Sequence, residues 1–198
     1  MKGNRKINRG FVLFLLVLAV LTAYLIILNM SQNAQKAKIK DVCMQAADIY
    51  SQYLVIPPEL HAYADTYTEE AFSKYQDECY DKLSALCADT NTVRSIAEYA
   101  LDIQTESGNY ITNFGAARII NINYNFKGDT VSVAIYAELN YKTAYAGMAE
   151  SGTLMASPTF TFELKKEDGE WKLLAFNPNI SAYLNSYNGN DYNYYGGF

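Results

Sequence analysis

Residues 120–141 read ININYNFKGDTVSVAIYAELNY, and this stretch decides the class of fold. Apolar and polar residues alternate on both sides of Lys127-Gly128-Asp129. A period of two is typical of a half-buried β-strand, and a glycine-containing turn between two such runs is typical of a hairpin. The stretch therefore predicts two long antiparallel strands, the first of which has four apolar residues on one face: Ile120, Ile122, Tyr124 and Phe126.

A second hairpin follows towards the C-terminus. Its first strand carries alternating apolar residues from Phe160 to Leu164, and Lys166-Glu167-Asp168-Gly169 supplies the turn. The last strand then contains Trp171, Leu173 and Ala175. From Ser181 onwards, the chain consists almost wholly of Tyr, Asn, Gly and Ser, which predicts a low-complexity tail over residues 181–198. We expect a terminus without fixed structure, and the alternative is an aromatic segment that contacts the cell wall or partner strands.

Towards the N-terminus, the spacing of apolar residues is helical. The chain from Ser31 to Leu54 contains no Gly or Pro, and Pro57-Pro58 ends this helix. We expect its buried face to hold Ile39, Val42, Cys43, Ala46, Ile49, Tyr50, Tyr53 and Leu54.

Two further helices are predicted before the strands. Thr66 and Glu69 have capping-box spacing and should open the second helix. A third helix should run from Thr92 to about Thr105 and end at Ser107-Gly108-Asn109. Helices first and hairpins afterwards indicate an α+β fold, with an N-terminal transmembrane helix followed by about three helices packed on a curled antiparallel sheet of about four strands.

The membrane segment is the apolar run Phe11–Leu28. Its eighteen residues span about 27 Å as a helix, close to the roughly 30 Å of a hydrocarbon core. Four basic residues precede the run: Lys2, Arg5, Lys6 and Arg9. By the positive-inside rule, we expect a single-pass anchor in the cell membrane, with the N-terminus cytoplasmic and the domain outside. A cleaved signal peptide is disfavoured, because Ala34, the best cleavage candidate, has Gln32 at position −3.

These features divide the chain into five segments. The first four are a basic cytoplasmic segment (1–10), the anchor (11–29), a stalk that becomes the first helix (30–56) and the extracytoplasmic α+β domain (57–180), on which the stalk helix packs. The tail (181–198) is the fifth. Removing the four basic residues of the first segment from the chain's 16 leaves 12 against 21 acidic residues, a net charge of −9. A domain this acidic lacks the basic surface that nucleic acid requires.

The three cysteines leave two interpretations open. Cys79 and Cys87 lie eight residues apart on one predicted helix, about 12 Å, which exceeds the roughly 7 Å that a disulfide allows between Cα atoms. A bridge would therefore join Cys43 to Cys79 or Cys87. Three reduced, buried thiols are the equally acceptable alternative.

No catalytic, cofactor-binding or metal site is predicted. His61, the single histidine, is expected in a surface turn beside Pro58 and Glu59, without a nucleophile placed near it by the sequence. The acidic residues Asp77, Glu78 and Asp81 are interpreted as a solvated helix face. We therefore expect no cofactor, and we do not expect an enzyme.

The second hairpin, TFELKKEDGEWKLLAF at residues 161–176, resembles the C-terminal hairpin of the nuclear transport factor 2-like superfamily. Three helices followed by a curled sheet resemble that cone-shaped fold over roughly residues 33–178. With its anchor, the chain is also similar to the bitopic scaffold subunits of bacterial type IV secretion and conjugation machines. In the superfamily's enzymes, Asp, Tyr or His residues inside the cone do acid–base work, but those positions do not align residue by residue with this chain. The sheet residues with a usable proton, Tyr124, Tyr136 and Tyr141, are candidates for a ligand pocket, and their simpler interpretation is as packing aromatics with hydroxyls at the rim.

Three functions follow as expectations. The first is an anchored module of the bacterial cell envelope that acts by contact with an envelope protein or by self-association, besides the bilayer contact of Phe11–Leu28. The second is a small-ligand binder or acid–base enzyme that uses the interior of the cone. The third is a pilin-like or pseudopilin-like subunit processed between Gly10 and Phe11, although Leu15 stands where pilins usually carry Glu.

Overall fold

The computed structural model describes residues 9–88, 101–102, 104–115, 117–145 and 148–177, with side chains from residue 14 onwards. The chain divides into two compact units, Met1–Lys38 and Ile39–Phe198. The predicted tail at 181–198 lies outside the described residues, as do the first eight residues.

The first unit contains the apolar part of helix α1, which runs without a break over Arg9–Leu54. Large apolar side chains are exposed along this part, among them Phe14, Val20 and Ile27. Within the described residues, α1 is the one helix that is long and apolar enough to cross a membrane. Residues 14–35 of α1 include no charged residue, and an uncharged stretch of helix that exposes apolar side chains suits a lipid environment.

The second unit is built on the last turns of α1. Most of the predicted stripe is confirmed: Ile39, Cys43, Ala46, Tyr50, Tyr53 and Leu54 are buried, whereas Val42 and Ile49 are half-buried and pack against the core. The helix ends at Leu54, and Val55 then pairs with Ile111 as a parallel bridge. A 3-10 turn at Pro58–Leu60 follows, because the proline rings remove the donors that a longer helix would need.

Helix α2 spans Glu69–Ser84 and buries Phe72, Cys79 and Leu83. Its predicted start at Thr66 was wrong. The Thr68 hydroxyl accepts a 3.2 Å hydrogen bond from the Ala71 N–H and caps the helix, whereas the Thr66 hydroxyl donates to the Glu59 carbonyl at 2.9 Å.

The third predicted helix is described only at its end. Residues 101–102 and 104–107 are helical, and Gly108 has a φ of 66°, which suits a glycine that ends a helix. Residues 92–100 and 103 lie outside the described residues.

Among the described residues, the sheet contains six strands, and all of its strand pairs are antiparallel. Their bounds are Asn109–Phe114 (β1), Arg118–Lys127 (β2), Thr130–Tyr145 (β3), Leu154–Ala156 (β4), Thr159–Glu167 (β5) and Glu170–Asn177 (β6). Strand β3 is central: β1 and β2 pair along one edge, β4 and β5 pair along the other, and β6 pairs with β5.

The predicted fold class is confirmed: the domain is α+β, with a curled antiparallel sheet whose long strands are the four predicted ones. The sequence did not indicate β1 and β4, which are short and continue the edges formed by β2 and β5. Alternate residues of β3 from Val131 to Leu139 are buried on the inner face of the sheet. This face packs against α1, and the core therefore lies between the helix and the sheet.

A β-bulge interrupts β2 between Ile119 and Asn121. The extra residue reverses the alternation, so that Ile120 is 57% exposed while Ile119 packs against the core. The prediction that Ile120 shares a face with Ile122 was therefore wrong. Apolar and polar residue types alternate from Ile120 to Phe126 as they do in a regular strand, so the sequence pattern does not reveal the bulge.

The β5–β6 turn consists of Asp168 and Gly169, which have φ values of 50° and 89°. We expect Gly169→Ala to lower the free energy of unfolding by about 1–2 kcal/mol, because a Cβ in the left-handed region is strained. No atom within 4 Å would meet that Cβ, so the loss arises from the backbone alone. Gly152→Ala, also without neighbours and without a positive φ, is the control. Equal thermal midpoints by circular dichroism for both variants would contradict this account.

Candidate functional site

A cavity of about 560 Å³ lies between α1 and the inner face of the sheet, within the second unit. Its walls are mostly apolar and come from α1 and strands β1, β2, β3 and β5. The apolar lining residues are Met44, Ala47, Val55, Phe114, Ala117, Ile119, Ile135, Ala137, Leu139, Phe160 and Phe162.

Small residues and one close backbone contact leave this volume open. Ala47 on α1 and Ala137 on β3 occupy positions where larger apolar residues would fill the space. Between β1 and β2, the Gly115 N–H donates a 2.7 Å hydrogen bond to the Asn140 carbonyl. A Cβ on Gly115 would lie 3.2 Å from that carbonyl oxygen, so glycine lets the edge chain bend tightly past β3.

Polar side chains of the cavity lining form hydrogen bonds with other side chains of the domain. Asp48 is exposed, and its carboxylate accepts a 3.0 Å hydrogen bond from Gln52. The Thr112 hydroxyl donates to Glu150 at 2.6 Å, and Lys142 donates to the same carboxylate at 2.7 Å. The hydrogen bond from Lys142, followed by that from Thr112, keeps the pKa of Glu150 below its ordinary value.

The described lining contains two titratable side chains, Asp48 and Tyr50. Burial raises the pKa of Tyr50 above its ordinary value, so its phenol stays neutral at physiological pH. Asp48 is exposed to solvent. With its mostly apolar walls, the described cavity can hold an apolar molecule.

The three tyrosines predicted to line a ligand pocket are not among the described residues that line this cavity, although Tyr124 lines a second depression on the sheet. Tyr124 is half-buried and packs against the core beside Phe126, and Tyr141 packs against Phe114, which does line the cavity. Tyr136 is exposed on the outer face of β3. Because side chains alternate along a strand, Tyr136 and Tyr141, five residues apart, lie on opposite faces.

His61 is buried, at 2% exposure, and the prediction of a surface position was wrong. Its ring stacks on Tyr110 at 3.8 Å, while Nε2 lies 2.9 Å from the Ile56 carbonyl and Nδ1 lies 2.8 Å from the Tyr63 hydroxyl. A carbonyl only accepts, so Nε2 carries the proton and Nδ1 accepts from Tyr63. Both nitrogens of the neutral ring are therefore hydrogen-bonded, and these bonds stabilise the segment that follows α1.

Burial lowers the pKa of His61 below its ordinary value, against weaker raising effects of the Ile56 carbonyl and Glu59. Above about pH 6.5 the ring is neutral in both states. Below it, the unfolded chain binds a proton that the folded domain resists, so stability is lost as the pH falls. We expect the urea midpoint to drop between pH 7.5 and 5.5, and to drop less in His61→Phe. The same drop in both proteins would contradict this role.

None of the three cysteines forms a disulfide in the structure, so the bridge from Cys43 to Cys79 or Cys87, one of the two interpretations left open above, is not formed there. Burial raises the pKa of Cys43 and of Cys79 to about 12, which leaves little thiolate to start disulfide exchange. The thiol of Cys87 donates to the Leu83 carbonyl at 3.0 Å. The three side chains therefore act as small core or helix-capping groups here.

Two other expectations concern charged side chains. Asp77, Glu78 and Asp81 are exposed on α2, the solvated face that the sequence predicts. Across the described part of the chain, no group of three or more His, Cys, Asp or Glu side chains has the arrangement of a metal site.

No protein-family model and no curated protein matches this chain. Similar solved structures include an NTF2-like protein of unknown function from Prochlorococcus marinus, with 20% identity and a TM-score of 0.27 over 40% of this chain and 57% of that chain. The chain thus spans little more than half the length of that protein.

Two further solved structures are similar over 55% of this chain. One is the intermembrane-space region of the chloroplast protein ARC6, with 11% identity, 91% of its length covered and a TM-score of 0.31. The other is an NTF2-like protein from Cytophaga hutchinsonii, with 16% identity, 87% of its length covered and a TM-score of 0.29. The structural neighbours thus include NTF2-like proteins.

Proposed function

We propose that the protein is a single-pass, membrane-anchored binding domain, placed outside the membrane, that holds an uncharged apolar ligand in the cavity between α1 and the sheet. The observation that carries this proposal is the cavity itself, with its apolar walls and without a buried charge among the described lining residues. The apolar segment of α1 supports the anchor.

The size and chemistry of the cavity favour binding over catalysis. Its volume of about 560 Å³ lies in the range typical of small-molecule sites, roughly 300–1,000 Å³. Apolar surface moved out of water contributes about 25 cal/mol per Å², so a chain-like apolar molecule can bind without ionic contacts. A charged ligand would lose its hydration against Phe114, Phe160 and Phe162 without gaining a partner there.

Thermal unfolding of the full chain in lipid nanodiscs tests this function. We expect 1-decanol to raise the unfolding temperature of the wild type, because a ligand that binds only the folded state stabilises it. Ala47→Phe, which fills the cavity from α1, should abolish the rise. Gln45→Phe, on an exposed position of the same helix, is the matched control and should keep it. The absence of a rise in the wild type, or an equal rise in Ala47→Phe, would contradict the proposal.

Assembly by protein contact is the second candidate, and an exposed apolar pair on the outer face favours it. Ile120 is extruded by the bulge beside Asn121, which pairs with the exposed Tyr136. An ion pair between Arg118 and Glu138, at 3.5 Å, lies along the same strands. An apolar pair with a charged border is typical of a contact surface.

Crosslinking in intact membranes tests this second candidate. A photoreactive residue at Tyr136 should capture an envelope protein or a second copy, whereas one at Lys166, in the β5–β6 hairpin, should not. Capture of a secretion or conjugation component would support the role of a type IV scaffold, and an N-terminus beginning at Phe11 in the membrane fraction would support the pilin-like alternative. Equal crosslinking from both positions would count against a specific surface.

A further inference from the structure

A second depression, of about 600 Å³, lies on the outer face of the sheet, on the opposite side from the ligand cavity. Two cross-strand rows form most of it, and Tyr124, Val133, Phe162 and Phe176, which alternate with them along the strands, also line it. One row contains Asn123, Ala134, Thr161 and Asn177, and the next contains Asn125, Ser132, Glu163 and Ala175. We call these two rows the outer groove. It crosses β2, β3, β5 and β6, about 14 Å at the usual spacing of strands.

The side chains of the outer groove define what fits it. Its floor consists of small residues, Ala134, Ser132 and Ala175, which leave room for flat rings. Its ends carry amides, which both donate and accept hydrogen bonds, and Glu163 is its one charged residue. An extended segment with aromatic rings, hydroxyls and amides, and with few charges, matches this surface.

Residues 178–198 of the same chain have that chemistry and begin at the groove. They follow Asn177, which lines the groove at the end of β6, and they contain five tyrosines, five asparagines and no basic residue. Pro178 has no N–H and therefore cannot donate to a continued strand ladder. Twenty-one residues can extend to roughly 70 Å, several times the width of the sheet, so the segment reaches β2 with residues to spare.

We propose that residues 178–198 pack into the outer groove of their own chain, with tyrosine rings over Ala134 and Ser132. The segment adjoins the groove, and a segment of the same molecule has a far higher effective concentration there than a second copy has. The outer face of the sheet is then a covered surface, and a partner that uses it must displace this segment. This inference is independent of a ligand in the cavity.

Thiol accessibility in the full chain, in nanodiscs, tests the proposal. Thr161→Cys places a thiol in the groove in a Cys87→Ser background, in which Cys43 and Cys79 are buried and react slowly. We expect N-ethylmaleimide to label the thiol introduced at position 161 at least tenfold more slowly in the full chain than in a chain that stops after Asn177. Met155→Cys, at a residue that is 75% exposed on β4, is the matched control and should react equally in both.

Two further measurements keep the outcome unambiguous. The double variant Tyr183→Ser/Tyr187→Ser of the full chain should also speed labelling at position 161. This test does not depend on whether the shortened chain folds. Circular dichroism of each variant reports its folding. Equal rates at position 161 in the full and shortened chains would overturn the proposal. Protection that disappears when nanodiscs hold single copies would overturn it as well, in favour of a segment supplied by a second copy.

Discussion

Phe162→Ala is expected to lower the free energy of unfolding by about 3–5 kcal/mol, the usual cost of removing a fully buried phenylalanine. The Phe162 side chain is 1% exposed, and its ring stacks on Phe176 at 4.7 Å with 9° between the planes. Phe162 also pairs with Val133 on β3, so its loss weakens contacts on both neighbouring strands. Urea unfolding of the full chain, followed by circular dichroism, measures the change.

Phe126→Ala is the matched control for this substitution. Phe126 is half-buried near the first hairpin, where its ring meets Trp171 edge-on at 6.5 Å. Because less apolar area is removed from water at this position, we expect well under half of the loss at Phe162. Equal losses at the two positions would show that the core is not centred on the inner face of β5.

Gln104→Leu is expected to cost about 2–4 kcal/mol, although leucine is the more hydrophobic residue. Gln104 is fully buried, and its Nε2 donates to the Leu54 carbonyl at 3.2 Å while its Oε1 accepts from the Ile111 N–H at 2.8 Å. These bonds join the end of α1 to β1. Leucine leaves both backbone groups buried without that partner, and each such group costs about 1–3 kcal/mol.

Gln76→Leu provides the control for Gln104. The Gln76 amide donates to Asp102 at 2.7 Å, so it also joins two helical segments, but it does so at the surface. Water can replace that bond, and we expect a change within about 0.5 kcal/mol. If the two leucine variants unfolded at the same urea concentration, the buried link between α1 and β1 would not contribute to stability.

Elements with a regular pattern could be predicted from the sequence. The buried stripe of α1 and the alternation of β3 each repeat over many residues, and both are confirmed. The bulge at Ile120 and the cap at Thr68 were missed, because a single inserted residue or one hydroxyl contact decides each of them. Such local choices depend on tertiary packing, which residue types alone do not encode.

The candidate site was predicted less well than the fold. Tyr124, Tyr136 and Tyr141 were chosen because each combines an aromatic ring with a hydroxyl. The cavity, however, exists because residues such as Ala47 and Ala137 are small. A cavity forms where side chains from distant segments do not fill the space between them, and no sequence motif indicates this. A local signal was Ala47 and Ser51, small residues four apart on α1 that both line the cavity.

The burial of His61 has a similar explanation. Its partners are Ile56, Tyr63 and, 49 residues further along the chain, Tyr110, whose ring covers the imidazole. A histidine that closely follows proline and a charged residue is typical of a surface turn, and His61 is buried instead because a distant tyrosine packs on its ring in the folded domain.

The chain's five methionines provide the most direct test that the cavity binds an apolar ligand. Met44 lines the cavity, Met148 and Met155 are exposed, and Met30 lies in the unit that contains the apolar part of α1. In the full chain in nanodiscs, with ¹³C-labelled methionine methyl groups, 1-decanol should shift the Met44 signal saturably and leave Met148 and Met155 unchanged. Met30 reports partitioning into the bilayer. A Met44 signal that stays fixed, or moves only in proportion to Met30, would contradict a ligand-binding cavity.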